Sequence, residues 1–185
     1  MITEKKLPSE GLKLIACLTM LIDHMGLSLG PWMGMRVIGR IAFPIYCFLL
    51  AEGVHYTKNP RKYALRLAIA MVLSEIPFDL ACFGHITWMN QNVFLTLLLG
   101  FGAMELMQQI GSPLGKLIVC LPFMGLAQVM HSDYGYQGVM MAALFGLARE
   151  YDWDLGKTAL GLILVSLARP SFPIPVLGVP VPIEL

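Results

Sequence analysis

Residues 11–29 form an apolar run closed by Gly30 and Pro31. As a helix rising 1.5 Å per residue it is long enough to cross about 30 Å of hydrocarbon. Residues 37–56 form a second run of that length, and five more apolar segments follow: 62–76, expected to stop at Pro77; 93–108; 113–130, with a kink expected at Pro122; 136–148; and 157–168. The last two are short enough to be re-entrant or tilted, so the pattern predicts about six to seven membrane segments. A chain built this way has few folds open to it, because backbone polar groups in lipid must be satisfied internally and a helix does so within one segment. The expectation is an all-α polytopic transmembrane helix bundle, one integral membrane domain over residues 1–185. Composition agrees: 57 % of residues are hydrophobic and 14 % charged, against about 25 % charged in a soluble domain.

The first run follows a basic start, as a signal peptide does. Asp23 and His24 interrupt it, however, and no small-x-small cleavage site follows, so it reads as a retained first span. The four cysteines, Cys17, Cys47, Cys82 and Cys120, lie far apart without metal or redox spacing and are expected to be buried small hydrophobes. The tail from residue 170 holds Pro170, Pro173, Pro175, Pro180 and Pro182 and cannot make a regular helix. A net charge of +1 gives no reason to expect a nucleic-acid partner.

Lys and Arg set the orientation. With the N-terminus in the cytoplasm, Lys5, Lys6, Lys13, Lys58, Arg61, Lys62, Arg66, Lys116, Arg149 and Lys157 fall inside, and only Arg36, Arg40 and Arg169 fall outside. The chain is therefore expected in the cell membrane as a multi-pass protein, N-terminus inward.

On that topology the polar residues collect on the outer side. Asp23 and His24 lie in the outer half of segment one. Arg36 and Arg40 enter segment two, four apart and so on one helix face. Glu75 and Asp79 flank Pro77. His85, Asn90, Gln91 and Asn92 occupy the next outer loop, and His131, Asp133 and Tyr134 follow segment five. Intramembrane ions usually pair and face the bundle interior, so Arg36 and Arg40 could simply neutralise Asp23, Glu75 or Asp79. Yet a buried ion pair can often be replaced by apolar residues at no cost, and its retention points to use. His24 is the candidate for proton chemistry, since imidazole titrates near neutral pH. The outer histidines lack the short ligand spacing of a zinc site, and no metal is expected.

These residues stand in recognisable motifs. "LKLIACLTMLIDHMG", "GRIAFPIYCFLLAEGVHYTKNPRKYALRL", "SEIPFDL", "QNVFLTLLLG" and "SDYGYQGV" resemble, in order and spacing, the successive motifs of the TraX family over about residues 11–148. That family is named for the membrane protein that acetylates the N-terminus of F-pilin. The resemblance implies a membrane acyltransferase using acetyl-CoA or a related thioester, with a pilin or other envelope acceptor. The chain departs from the pattern at its end, where "RPSFPIPVLGVPVPIEL" stands in place of a further aromatic-rich helix; a truncated or altered C-terminus is the expectation there.

Acyl transfer needs a base for the acceptor, donors for the oxyanion and a grip on the thioester. His24 with Asp23 fits the first. Arg36, Arg40, Gln91 and Asn92 could stabilise the oxyanion or position an acceptor anion, with Glu75, Asp79, His131, Asp133 and Tyr134 as supporting polar groups. Lys58, Arg61, Lys62 and Arg66 could hold the phosphates of coenzyme A, although the positive-inside bias alone also accounts for them. Two other classes stay open: a proton-coupled transporter, for which liposome uptake is the discriminating observation, and a non-enzymatic membrane scaffold, which would tolerate Ala at His24.

Overall fold

A computed structural model describes residues 9–28, 33–87 and 90–167 of the chain. Eight helices run through the described residues: α1 (Ser9–Ser28), α2 (Met33–Gly39), α3 (Ala42–Tyr56), α4 (Pro60–Phe83), α5 (Val93–Met107), α6 (Pro113–Val129), α7 (Gly135–Glu150) and α8 (Leu155–Leu167). Their starts follow from local chemistry. Asn59 accepts from the Lys62 amide at 3.0 Å ahead of Pro60, Ser112 from the Gly115 amide at 3.1 Å ahead of Pro113, and Asn92 from the Phe94 amide at 2.9 Å. Each supplies an acceptor to amides that have no partner inside the helix, and proline at the first position gives up a donor that would be orphaned anyway.

α5 is the centre. Val93, Leu95, Thr96, Leu97, Leu99, Phe101, Ala103, Met104 and Met107 bury positions all round it, as a helix apolar on every face must. It packs against α3, α4, α6 and α7; α1 closes on α2 and α3, and α8 on α7. Small residues let the central backbones approach: a Cβ added at Gly100 would lie 2.7 Å from Ala142 Cβ, the kind of contact that stabilises helix pairs where water gives no hydrophobic drive.

The outer helices turn apolar stripes outward. Leu14, Leu18, Leu21 and Met25 are exposed on α1, Leu65, Ile69, Val72, Leu73, Ile76 and Leu80 on α4, and Leu114, Leu117, Ile118 and Leu121 on α6. Soluble monomers rarely leave such areas bare, and the exterior is that of a membrane-associated bundle. Among the described residues, Val37–Tyr56 is long and apolar enough to cross a bilayer, while Val93–Met107, Pro113–Val129 and Leu155–Val165 are apolar but shorter.

The structure corrects several sequence expectations. Segment two is interrupted by a turn at Arg40 and Ile41, where Ile41 keeps helical angles (φ −68°, ψ −25°), so Arg40 lies at the junction of α2 and α3 and not within the helix that carries Arg36. Segment three does not stop at Pro77. α4 runs through it to Phe83 and ends at Gly84, whose φ of 72° suits glycine. One lost backbone bond at Pro77 costs less than unwinding a turn whose amides would all need new partners. Cys47 and Cys120 are buried, but Cys17 is exposed, with its Sγ 3.3 Å from Tyr46 Oη. The side chains of Arg36 and Cys82, and the tail 168–185, lie outside the described residues.

Candidate functional site

Alternation of the helices gives the bundle two chemically different ends. At one, α1 finishes with α2 packed on it, α4 and α6 finish, and α5 and α7 begin. The strand-like contact of Gln91 with Ser132 ties the loops together there: the Gln91 amide donates to His131 O at 3.0 Å and the Asp133 amide to Gln91 O at 2.9 Å. His131 serves this contact through its main chain, held at φ 50°. All the candidate site residues from Asp23 to Tyr134 outside the basic loop gather at this end.

Tyr134 is the hub. Its ring stacks on Phe43, with centroids 3.7 Å apart and planes 6° apart, and the Arg40 guanidinium lies 5.8 Å above it. Burial, and after it the charge of Asp133, push the phenol above its usual range while Arg40 pulls the other way, so at neutral pH Tyr134 is an O–H donor. Gly138 makes room beneath: a Cβ there would come 2.3 Å from Thr96 Cγ2, 2.7 Å from Tyr134 Cβ and 2.9 Å from Phe43 Cζ. Asp23 sits against Gly39, where an added Cβ would overlap the Asp23 Cβ at 2.2 Å. His24 Nδ1 donates to Met20 O at 2.8 Å. A carbonyl can only accept, so Nδ1 carries a proton in this contact.

Two further acids come from α4. Glu75 Oε2 accepts from the Asn92 side-chain amide and, at 3.3 Å, from its backbone amide. Asp79, fully buried, accepts from the Thr87 amide at 2.8 Å. Among the described residues, Asp23 Oδ1, Glu75 Oε1, Asp79 Oδ1, Thr96 Oγ1, Ser132 Oγ and Gln137 Nε2 are buried without a hydrogen-bond partner. Buried polar atoms in a finished interior are nearly always satisfied by protein or by water, and all six of these lie at this end of the bundle.

Some expectations change on this geometry. Among the described residues Arg40 forms no ion pair with Asp23, Glu75 or Asp79; it is placed by the Tyr134 ring instead. Both side-chain hydrogens of Asn92 are committed, to Glu75 and to Met71 O at 2.8 Å. It is therefore a cap and a tie for Glu75, not a free donor for an oxyanion. Gln91 contributes its main chain to the loop pairing. Thr96, Ser132, Gln137 and Phe43 were missed. All four stand within the motifs quoted from the sequence, and Thr96 also lies one turn past Asn92 on the same face.

The opposite end is basic and differently built. Arg149 pairs with Glu52 at 2.6 Å and donates to Tyr56 Oη at 2.9 Å, and the buried Lys116 meets Glu150. In the sequence, Lys116 and Arg149 serve only to set the orientation. Between the C-terminal turns of α3, α5 and α7 lies a cavity of about 520 Å³, with Ala51, Met104 and Gly146 in its wall and His55, Gln108 and Arg149 at its polar rim. Lys58, Arg61, Lys62 and Arg66 are exposed at the start of α4, and none lines this cavity.

The TraX protein family model matches residues 9–177. The chain belongs to the TraX family. The match extends past the motifs that end near 148, through α8. The probable fimbrial assembly protein FimC, serogroup H1, of Dichelobacter nodosus is 31 % identical over 176 residues, covering 84 % of this TraX-family chain and 70 % of the relative. The uncharacterized protein RP591 of Rickettsia prowazekii (strain Madrid E) is 34 % identical over 90 residues, covering 48 % of this chain and 33 % of the relative. No solved structure matches.

Proposed function

We propose that this TraX-family chain is a multi-pass membrane acyltransferase of pilus or envelope assembly, which moves an acetyl group from acetyl-CoA to an amine or hydroxyl acceptor. Family membership and the fimbrial assembly name of one relative support the biological setting. The outward apolar stripes support a bundle that crosses the membrane, and the bias of Lys and Arg supports an inward N-terminus with the polar end outside.

One observation carries the chemistry: the set of buried polar atoms at the polar end with no partner among the described residues, three of them carboxyl oxygens. Carboxyl oxygens accept hydrogen bonds, so Asp23 Oδ1, Glu75 Oε1 and Asp79 Oδ1 suit N–H donors. An amine acceptor supplies those donors better than a hydroxyl does. His24 Nε2 removes the amine proton as its nitrogen attacks the thioester carbonyl, worth roughly 10²–10⁴-fold in rate. Arg40 and the Tyr134 O–H face the charge that gathers on the carbonyl oxygen. Collapse forms the C–N bond and breaks the C–S bond, and the proton returns from His24 to the departing thiolate. Coenzyme A leaves as the free thiol.

The test uses purified protein in lipid with acetyl-CoA and a peptide with a free N-terminus. Thiol release that depends on the peptide, and falls when the peptide is N-terminally blocked, is the expected result. Thiol release at the background rate with amine and hydroxyl acceptors alike would overturn the proposal.

A further inference from the structure

Three helix faces share one register between the two ends. On α3 it runs Phe43, Cys47, Ala51, His55; on α5 Thr96, Gly100, Met104, Gln108; on α7 Gly138, Ala142, Gly146, Glu150. Four-residue spacing keeps each series on one side of its helix, and the three sides meet. Gly138 abuts Thr96 and Phe43, Gly100 abuts Ala142, and a Cβ at Gly146 would lie 2.9 Å from Met104 Sδ. The series begins in the 520 Å³ cavity at the basic end, within the roughly 300–1,000 Å³ of ligand pockets. It ends at Thr96, which is fully buried, turns its methyl to Gly138, and has a hydroxyl with no hydrogen-bond partner among the described residues. Met104 to Thr96 is eight residues, about 12 Å along the axis.

We infer that the inner cavity and the small-residue seam above it are the channel for the uncharged, amide-bearing arm of the acyl donor, which enters between α3, α5 and α7 and delivers its thioester at the level of Thr96. The inference rests on the acyl-transfer reading and gives that reaction its donor site. The charge pattern selects the arm over the phosphate-bearing head. Arg149 is matched by Glu52 and Lys116 by Glu150, and Asp152 adds a negative charge at the mouth, so the rim offers no net positive charge to phosphates. The head stays outside, where Lys58, Arg61 and Lys62 are exposed. The seam is closed at Gly100 and Ala142 in this conformation, and passage of the arm requires α5 and α7 to part there.

The experiment places a reporter thiol in the cavity, Gln108→Cys, in protein whose Cys17 and Cys82 are replaced by Ser and whose seam residue Cys47 is replaced by Ala, reconstituted in lipid. Alkylation by a maleimide is timed with S-ethyl-coenzyme A, a thioether that cannot transfer its ethyl group, and with adenosine bisphosphate, which has the head but no arm. With the thioether at about ten times its Kd by calorimetry, labelling is expected to slow about tenfold, because only the free fraction reacts. The bisphosphate leaves the rate unchanged. His55→Cys on the facing wall reads the same cavity should the first variant fail to fold. Gly146→Met, whose side chain fills the cavity toward the yielding Met104, is expected to raise the KM for acetyl-CoA and leave the KM for the acceptor alone. Protein that turns over acetyl-CoA while both reporters stay equally reactive under saturating thioether would overturn the channel and leave the enzyme. Absence of both thioether binding and acyl transfer would remove the reaction itself, and the channel with it.

Discussion

Asp23 and Gly39 touch so closely that no other residue fits between α1 and α2. Gly39→Ala puts a methyl 2.2 Å from the Asp23 Cβ and is expected to destabilise the protein by about 1–3 kcal/mol, the usual cost of overpacking. A melting temperature in lipid equal to that of the parent would contradict the contact. Arg40 gives the opposite kind of expectation. As half of a buried ion pair its loss would cost about 3–5 kcal/mol. It instead lies over Tyr134 with no ion pair among the described residues, so Arg40→Ala should cost about 0.5–2 kcal/mol while strongly lowering turnover. Thermal unfolding and thiol release on the same preparation separate the two effects, and an unfolded or a fully active variant would each speak against the placement. The residue types at the site were legible in the sequence, because an acid and an imidazole are expensive inside an apolar run. Their partners were not. Whether Arg40 faces a carboxylate or an aromatic ring depends on the turn that separates α2 from α3, and no local signal marks it.

At the scale of elements, α6 and α7 are joined at the basic end by Lys116 and Glu150, and the pair is asymmetric: the Lys116 side chain is 2 % exposed and that of Glu150 41 %. Glu150→Ala leaves an ammonium buried without its counter-charge, a cost approaching about 3–5 kcal/mol, whereas Lys116→Met returns a carboxylate to water and is close to neutral. Chemical or thermal unfolding should rank Lys116→Met clearly above Glu150→Ala, and the reverse order would show that the ion pair is not where the strength lies. The limits of α5 and α6 could be read closely from their caps, Asn92 and Ser112 with Pro113. Those of α4 could not, because proline lowers helix preference locally while the surrounding apolar packing decides whether the helix continues. Glu52 and Arg149 are 97 residues apart in sequence, and such a pairing becomes visible only when α3 and α7 lie side by side.

For the whole molecule, the lengths of the apolar runs sufficed for an all-helical bundle, and family membership follows from motifs that cover most of the chain. The seam joining the two ends was hidden, since glycine and alanine at four-residue spacing look like ordinary packing until three helices share the register. The proposed topology is open to direct test. A cysteine at Asn59 should resist impermeant thiol reagents in intact cells, and one at His85, after removal of Cys82, should react; His85 is the better site because Gly84 holds φ 72°. The reverse labelling pattern would invert the bundle and separate the polar end from outside acceptors. The claim on which the rest depends is that His24 moves a proton during transfer of the acetyl group. The deciding measurement is the mass of a free-N-terminus peptide after incubation with acetyl-CoA and either the parent protein or His24→Gln, both reconstituted and shown to be folded. The expected result is an acetylated peptide with the parent and a loss of roughly 10²–10⁴-fold in rate with His24→Gln, which can hydrogen-bond but takes no proton; acetylation by His24→Gln at close to the parent rate would contradict it.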